Sequence, residues 1–461
     1  MVSAFLKRWN APQGYREVLR VGLPLVAGMA SSTVMQFTDR LFLSHYSVTS
    51  IAAALPSAMA AMVLQLPLIG VCGYVSVFIA HYIGAGRHKE VGAALWQGLW
   101  VALASMTVLA FACLLAEPIF AWTGHPPAVQ AEEVIYFRIL TLGSIFPLFG
   151  TVVSGFFIGR GFTRPVLFAN LIAAILNVPL DYALIFGKWG APELGIAGAA
   201  YATVAGGAFW SIALALGVFT KKNDKAFRVF RSWRFKKDIF LRLLRFGGPS
   251  GANLFMEVVG FAWFVFEVGK LGEIPLAASN IASSVNMLIF MPMLGINSAV
   301  AALVGQAMGA KNPDAANRVT QSSLHIALLY MAPLALCCAL FAGPLMDFFR
   351  PADPAVDFAP IRATGIVLIY YIAVYSLMDS CNIVYLGALK GAGDTFFVML
   401  ILAGTGIFTL AIPILTLQAL EMASLHALWI VLTVYIMMMA FCSYLRFRQG
   451  GWRKMQVVED I

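Results

Sequence analysis

Apolar residues run through this chain in long uninterrupted stretches, separated by short clusters of Gly, Pro and charge. A helix needs about 20 apolar residues to cross the roughly 30 Å hydrocarbon layer of a bilayer. Read this way, the pattern predicts twelve spans. Six lie at 16–43, 50–84, 91–115, 133–159, 165–187 and 195–219, and six more at 241–269, 275–308, 318–342, 360–389, 395–417 and 424–447. Strands of a membrane barrel alternate in polarity over about ten residues, and no such alternation runs through these stretches. The expected fold is an all-α integral membrane protein with twelve transmembrane helices.

The two halves echo each other at a constant offset of 225 residues. Gly22-Leu23-Pro24 pairs with Gly247-Gly248-Pro249, Pro67 with Pro292, Gly70 with Gly295, and Ile83-Gly84-Ala85 with Met308-Gly309-Ala310. A later echo sets Gly161-Phe162-Thr163 against Gly393-Asp394-Thr395. Six spans per copy is an even number, so both copies enter the membrane in the same direction. The expectation is two six-helix lobes related by a pseudo-two-fold axis along the membrane normal, an N-lobe over 1–219 and a C-lobe over 241–461, joined by a basic linker at 220–240. Transporters of this organisation bind substrate between lobes and alternate access by moving them. Pro24 and Pro249 stand at equivalent places in spans 1 and 7, where a missing helix hydrogen bond permits a gating kink or a static packing kink.

Composition agrees with the pattern. Of 461 residues, 61% are hydrophobic and only 11% charged, against roughly 25% charged in soluble domains. That excludes a soluble fold, and disorder needs the opposite balance. The net charge of +9 sorts by loop rather than marking a nucleic-acid binder. Twelve spans divide the loops into two alternating sets, and about 25 of the 31 Lys and Arg fall in the set that holds both termini, Lys390 and the linker. The other set holds Arg40, Arg138, Lys188, Lys270, Arg350 and Arg362. Both termini are therefore expected in the cytoplasm. The basic start (Lys7, Arg8, Arg16, Arg20) leads into an uncleaved first span, with no small-residue cleavage site. The run 220–246 interleaves ten basic residues with aromatics, as expected of a cytoplasmic loop lying partly on the membrane and attracted to anionic headgroups. Cys72, Cys113, Cys337, Cys338, Cys381 and Cys442 lie in apolar stretches without metal-site spacing, and read as small buried hydrophobes.

Charges inside spans are costly and mark function by default. Four acids lie there: Asp39, Asp181, Glu257 and Asp379. At 1.5 Å per residue, Asp39 stands about 28 Å above Arg20, and Asn177 and Asp181 about 18 and 24 Å above Pro165. Thr203 lies about 12 Å below the outer end of its descending helix. These four converge on the outer half of the N-lobe. Glu257 and Asp379 lie near the midplane of the C-lobe, with Tyr375 and Asn382 on the face of Asp379. Two carboxylates brought together in low dielectric need a proton or a cation between them, and oxygen donors suit a hard cation such as Na⁺. A site of that kind binds H⁺ or Na⁺ in competition. A structural hydrogen-bond network is the plainer reading, and for Asp39 a snorkelling pair with Arg40.

The stretches VGLP (21–24), Gln36-Phe37-Thr38-Asp39, IGAG (83–86) and VGQAMGA (304–310), with 176–203 and 378–395, resemble the multidrug and toxic compound extrusion (MATE) family over nearly the whole chain. The resemblance implies export of organic, often cationic compounds driven by entry of Na⁺ or H⁺, with no cofactor beyond that ion. It also implies ion-coupling roles for Asp39, Asn177, Asp181 and Thr203 in one lobe. In the other, Glu257, Tyr375 and Asp379 match the NorM-like branch; Gln36 and Asn382 are accessory candidates. His81 departs from the usual Gln, which is present at Gln306, and Asp181 stands where NorM-like members often carry Asn. Acids in both lobes leave the ion and its lobe open.

The leading expectation is a monomeric antiporter of amphipathic organic cations in a bacterial inner membrane. The alternative is a flippase for lipid-linked oligosaccharides, whose pyrophosphate would call for basic residues within the spans. A channel or receptor fits kinked repeats with buried acids less well. An enzyme has no nucleophile–base set or phosphate loop to stand on.

Overall fold

The computed structural model describes residues 8–350 and 357–458; Lys7 of the basic start lies outside them. Among the described residues, twelve helical segments are long and apolar enough to cross a membrane, the first Tyr15–Tyr46 and the last Leu425–Gln449, and no strand occurs. The chain is a multi-pass, all-α membrane protein. The first six spans are α1 (Tyr15–Tyr46), α2 (Val48–Gly73) with α3 (Val75–Gly84), α4 (Val91–Leu114), α5 (Pro127–Gly143) with α6 (Ile145–Gly159), α7 (Arg164–Phe186) and α8 (Ile196–Val218). A short α9 (Lys221–Phe227) precedes α10 (Lys237–Gly269), α11 (Glu273–Gly309), α12 (Pro313–Leu340), the short α13 (Ala342–Asp347) and α14 (Ala359–Ala392). The eleventh span is α15 (Thr395–Thr405) and α16 (Ile412–Ala419) around a π turn at Gly406–Ala411, and α17 (Leu425–Gln449) ends the bundle.

Local chemistry sets the breaks. The Ser47 hydroxyl caps α2 by accepting from the Thr49 and Ser50 amides, and Ser424 caps α17 through Ala427. Span 11 widens to a π turn just before Pro413, which has no amide to donate back and whose ring crowds the carbonyl four residues earlier. Pro24 and Pro249 sit inside α1 and α10 without ending either helix.

Lys390 departs from its expected place in a loop. It occupies the last turn of α14, which runs to Ala392. Gly391 lets the helix continue against a neighbour, since a Cβ there would lie 2.5 Å from the Ala301 carbonyl oxygen. Gly393, at φ +102°, then ends it in the left-handed region. The linker is also more ordered than a bare loop, because it is held along α4. The Trp96 indole donates to Val229 O at 2.6 Å and that of Trp100 to Trp233 O at 3.0 Å. Gln97 donates to Arg234 O and accepts from the Lys236 amide. Phe230, Trp233 and Phe235 stay exposed. Of the cysteines, Cys72, Cys113 and Cys338 are buried, but Cys337 is exposed, which corrects its reading as a buried hydrophobe; it sits beside Leu336 on an outward-facing part of α12.

The helices form two compact units. One comprises Val21–Phe255, Gly305–Asn312 and the chain end from Val457; the other comprises the segment through Arg20, Met256–Val304 and Pro313–Gln456. Within the first, α3 and the end of α11 meet through a reciprocal close approach. A Cβ on Gly84 would lie 1.9 Å from the Gln306 carbonyl oxygen, and one on Gly309 would lie 2.1 Å from that of His81. The 225-residue offset exchanges these two contacts. The core of this unit gathers Leu43, Ala53, Ala54, Tyr136, Ile185, Ile196, Ala199 and Ala200. In the other unit a cluster packs Phe264, Leu368, Ile372, Tyr375, Leu410, Leu428 and Trp429, with the Trp429 indole donating to Ser279.

Candidate functional site

The N-lobe cluster continues that first core inward by one helical turn. Leu43, Ile185 and Ala199 are core residues, and Asp39, Asp181 and Thr203 lie four positions from each on the same faces. Apolar packing of α1, α7 and α8 thereby drives three polar side chains together. Asp39 and Asp181 lie close enough for their carboxyl groups to interact directly, and the Thr203 hydroxyl donates to Asp39 Oδ2 at 3.2 Å. Asp181 and Asn177 are fully buried and Asp39 nearly so. Asn177, one turn from Asp181, packs beside Gly206 of α8. With the carboxylates charged, no donor reaches either Asp181 oxygen or Asp39 Oδ1, and both polar atoms of the Asn177 amide lack a protein partner. Buried polar groups are normally satisfied, so these unpartnered carboxylate and amide oxygens, beside one unpartnered amide donor, fit a proton or a hard cation rather than a finished structural network.

Arg40 does not form the expected surface pair. It is exposed while Asp39 is buried, and Asp39 turns to Asp181 and Thr203 instead. Gln36 is exposed, and no hydrogen bond among the described residues ties it to the cluster. Tyr136 of α5, absent from the sequence reading, lies within electrostatic reach of both Asp39 and Asp181. Its signal was weak, because a lone tyrosine in a span reads as packing.

The C-lobe cluster follows one stripe of α14. Ile372 and Tyr375 belong to the core, then come Asp379 and Asn382. Asn382 is buried, hydrogen-bonds Asp379 and accepts from the Ser443 hydroxyl at 2.9 Å. Glu257 on α10 interacts electrostatically with Asp379 and with Lys390. It is exposed, and an ionised carboxylate is costly against lipid. Tyr435 of α17 senses both acids. Lys390 and Tyr435 are the members that sequence reasoning missed, Lys390 because its Gly-rich surroundings read as a loop.

Two copies of one pattern thus carry two acidic clusters, and comparison with known proteins finds that doubling. The MatE family model matches twice, over residues 24–183 and 249–415, each match opening at one of the paired prolines. The chain belongs to the MatE family. This MatE chain is 27% identical to a probable multidrug resistance protein NorM of Thermotoga maritima over 98% of its length and 96% of the relative's. It is 27% identical to the multidrug resistance protein NorM of Aliivibrio fischeri, covering 82% of this chain and 81% of that one. In fold it is similar to a MOP superfamily transporter of Pyrococcus furiosus, with a TM-score of 0.86, 20% identity and coverage of 98% and 99%. A MATE family transporter solved in an outward-facing conformation gives a TM-score of 0.85 at the same identity and coverage.

Proposed function

We propose that this protein is a secondary antiporter that exports small amphipathic organic cations in exchange for H⁺ or Na⁺, by alternating access across a bacterial inner membrane, with both termini in the cytoplasm. The observation that carries the reading is the buried Asp39–Asp181 pair. Two carboxylates buried side by side would hold one proton between them, and a cation held by the same oxygens, with Asn177 and Thr203, is the alternative occupant. Relatives named as multidrug resistance proteins support the substrate class.

In this mechanism an ion entering from outside neutralises the pair, and its release to the cytoplasm restores negative charge. An organic cation is drawn by that charge, by apolar walls and by aromatic faces. Glu257, Tyr375 and Asp379 form the second acidic cluster, where Lys390 already supplies one positive charge. Arg40, the cation within electrostatic reach of the N-lobe pair, is exposed rather than buried with it, and that pair is the better candidate for coupling. No nucleotide-binding motif supplies another energy source, and a monomer suffices because each lobe brings its own cluster.

The test is efflux of a fluorescent cation from proteoliposomes under separately imposed inward H⁺ and Na⁺ gradients. Efflux under either gradient, lost in Asp39→Asn and Asp181→Asn but retained in Glu257→Gln, supports the reading and names the ion. Full coupled efflux by the Asp39→Asn/Asp181→Asn protein would overturn it.

A further inference from the structure

A cavity of about 280 Å³ opens at one end of the C-terminal helices, and no residue of either acidic cluster lines it. One wall is a single face of α12, since Asn317, Thr320, Gln321 and Leu324 recur at helical spacing. The opposite wall is the end of α17, with Tyr444, Phe447 and Arg448, and Tyr385 of α14 lies between them. Gly450, at φ +75°, turns the chain back after α17, and the short 3-10 turn Gly451–Lys454 returns Arg453 to the cavity.

The rim is rigid and positively charged. Phe447 stacks on Trp452 with centroids 4.9 Å apart, and the Trp452 indole donates to Phe447 O at 2.8 Å. Tyr385 packs against both Tyr444 and Phe447, and the Arg453 guanidinium lies 5.5 Å from the Trp452 ring centroid. Arg8 donates to Gln321 Oε1 at the edge, adding a third cation. Among the described residues the lining holds two arginines, amides and hydroxyls, and no carboxylate. That set matches a phosphate with several acceptor oxygens. The outer face of α17 says what the phosphate is attached to. Phe441, Tyr444, Leu445 and Arg448 share one helix face, and all four are exposed. An apolar strip on a membrane span therefore leads directly to an arginine at the cavity mouth.

We infer that this cavity binds the headgroup of an anionic phospholipid, with the acyl chain along Phe441 and Leu445 and the phosphate between Arg448 and Arg453. The assignment to the cytoplasmic leaflet rests on the orientation proposed above; the lipid site itself does not. Basic pockets among spans on the cytoplasmic side are suited to anionic headgroups.

The experiment is native mass spectrometry of the full chain in neutral detergent, titrated with phosphatidylglycerol, phosphatidylcholine or glycerol 3-phosphate. Phosphatidylglycerol should be retained in preference to phosphatidylcholine. Arg448→Gln/Arg453→Gln should weaken its retention about 30-fold, the loss of two basic contacts, without changing the phosphatidylcholine signal. Arg448→Lys should keep the preference, and Arg231→Gln/Arg234→Gln in the linker should leave it intact. Equal retention of phosphatidylglycerol by the wild type and the double variant would overturn the site. Equal loss on changing the linker arginines would also overturn it, by showing only a general surface potential. Retention of glycerol 3-phosphate as tight as that of the lipid would overturn the lipid and leave a free phosphate ester. None of these readings requires transport, so they stand apart from failure of the antiport proposal.

Discussion

Replacing Asp181 by Asn takes away the carboxylate that, in the proposed mechanism, shares a proton or cation with Asp39. Gradient-driven efflux by Asp181→Asn should fall to the level of empty liposomes while the protein keeps its size-exclusion profile. Thr203→Val removes one hydrogen bond to a charged group, worth about 1.5–3 kcal/mol. The ion gradient giving half-maximal efflux should then shift about tenfold or more, falling for H⁺ because the carboxylate loses a donor and rising for Na⁺ because the site loses an oxygen, with the maximal rate kept. At the edge of α13, the Arg362 guanidinium grips Asp347 through two bonds of 2.8 and 2.9 Å, aided by Arg350. These arginines hold the Asp347 carboxyl below its ordinary value of 3.8. A lowered native value means stabilisation that is complete above the ordinary value and lost as pH falls below it. The melting-temperature gap between wild type and Asp347→Asn should therefore be constant from neutral pH down to about pH 5 and close as acidification passes below the ordinary value. Asp394 is buried and bound by Arg446 at 2.6 and 3.2 Å, with the guanidinium 3.9 Å from the Phe397 ring centroid. Arg446→Met leaves that carboxylate unpaired and should cost about 3–5 kcal/mol, read as a lowered melting temperature that Asp394→Asn partly restores.

Helix by helix, the sequence told most where apolar length decides the outcome. The twelve spans follow from hydropathy, yet the breaks at Tyr74 and Ser144 within spans 2 and 4 left no trace, because apolar residues run straight across them. Lys390 was placed in a loop because composition cannot weigh Gly391, whose missing side chain lets α14 pass Ala301 and continue. The acidic clusters were legible because charge within a span is costly and i, i+4 spacing assigns faces. Tyr136 and Tyr435 were not, because a tyrosine looks the same to composition whether it packs or faces a carboxylate. Close approaches also set how much change an element bears. Gly84→Ala would push a methyl into backbone rather than a yielding side chain, so it should cut the yield of folded protein sharply. Gly404→Ala meets nothing within 4 Å and should fold as well as the wild type; fluorescence-detected size-exclusion chromatography compares the two.

At the scale of the whole molecule, the duplication was visible before any coordinates, because a constant offset over gapless stretches survives divergence that erases most identities. The basic linker was legible as a charge run but not as an ordered segment, since its anchorage depends on Trp96, Gln97 and Trp100 of another helix. A chain cut between Arg231 and Ser232 and expressed as two pieces should reassemble and transport when both are made together, with neither active alone; drug survival of the host reads this directly. The close approach of Gly84 to Gln306 is mirrored by that of Gly309 to His81. Contacts that exchange under swapping of copies are the signature of a homodimer's two-fold axis. Within one chain they mark internal pseudo-symmetry, and the paired glycines are where neither copy of the repeat could gain a side chain without displacing backbone of the other.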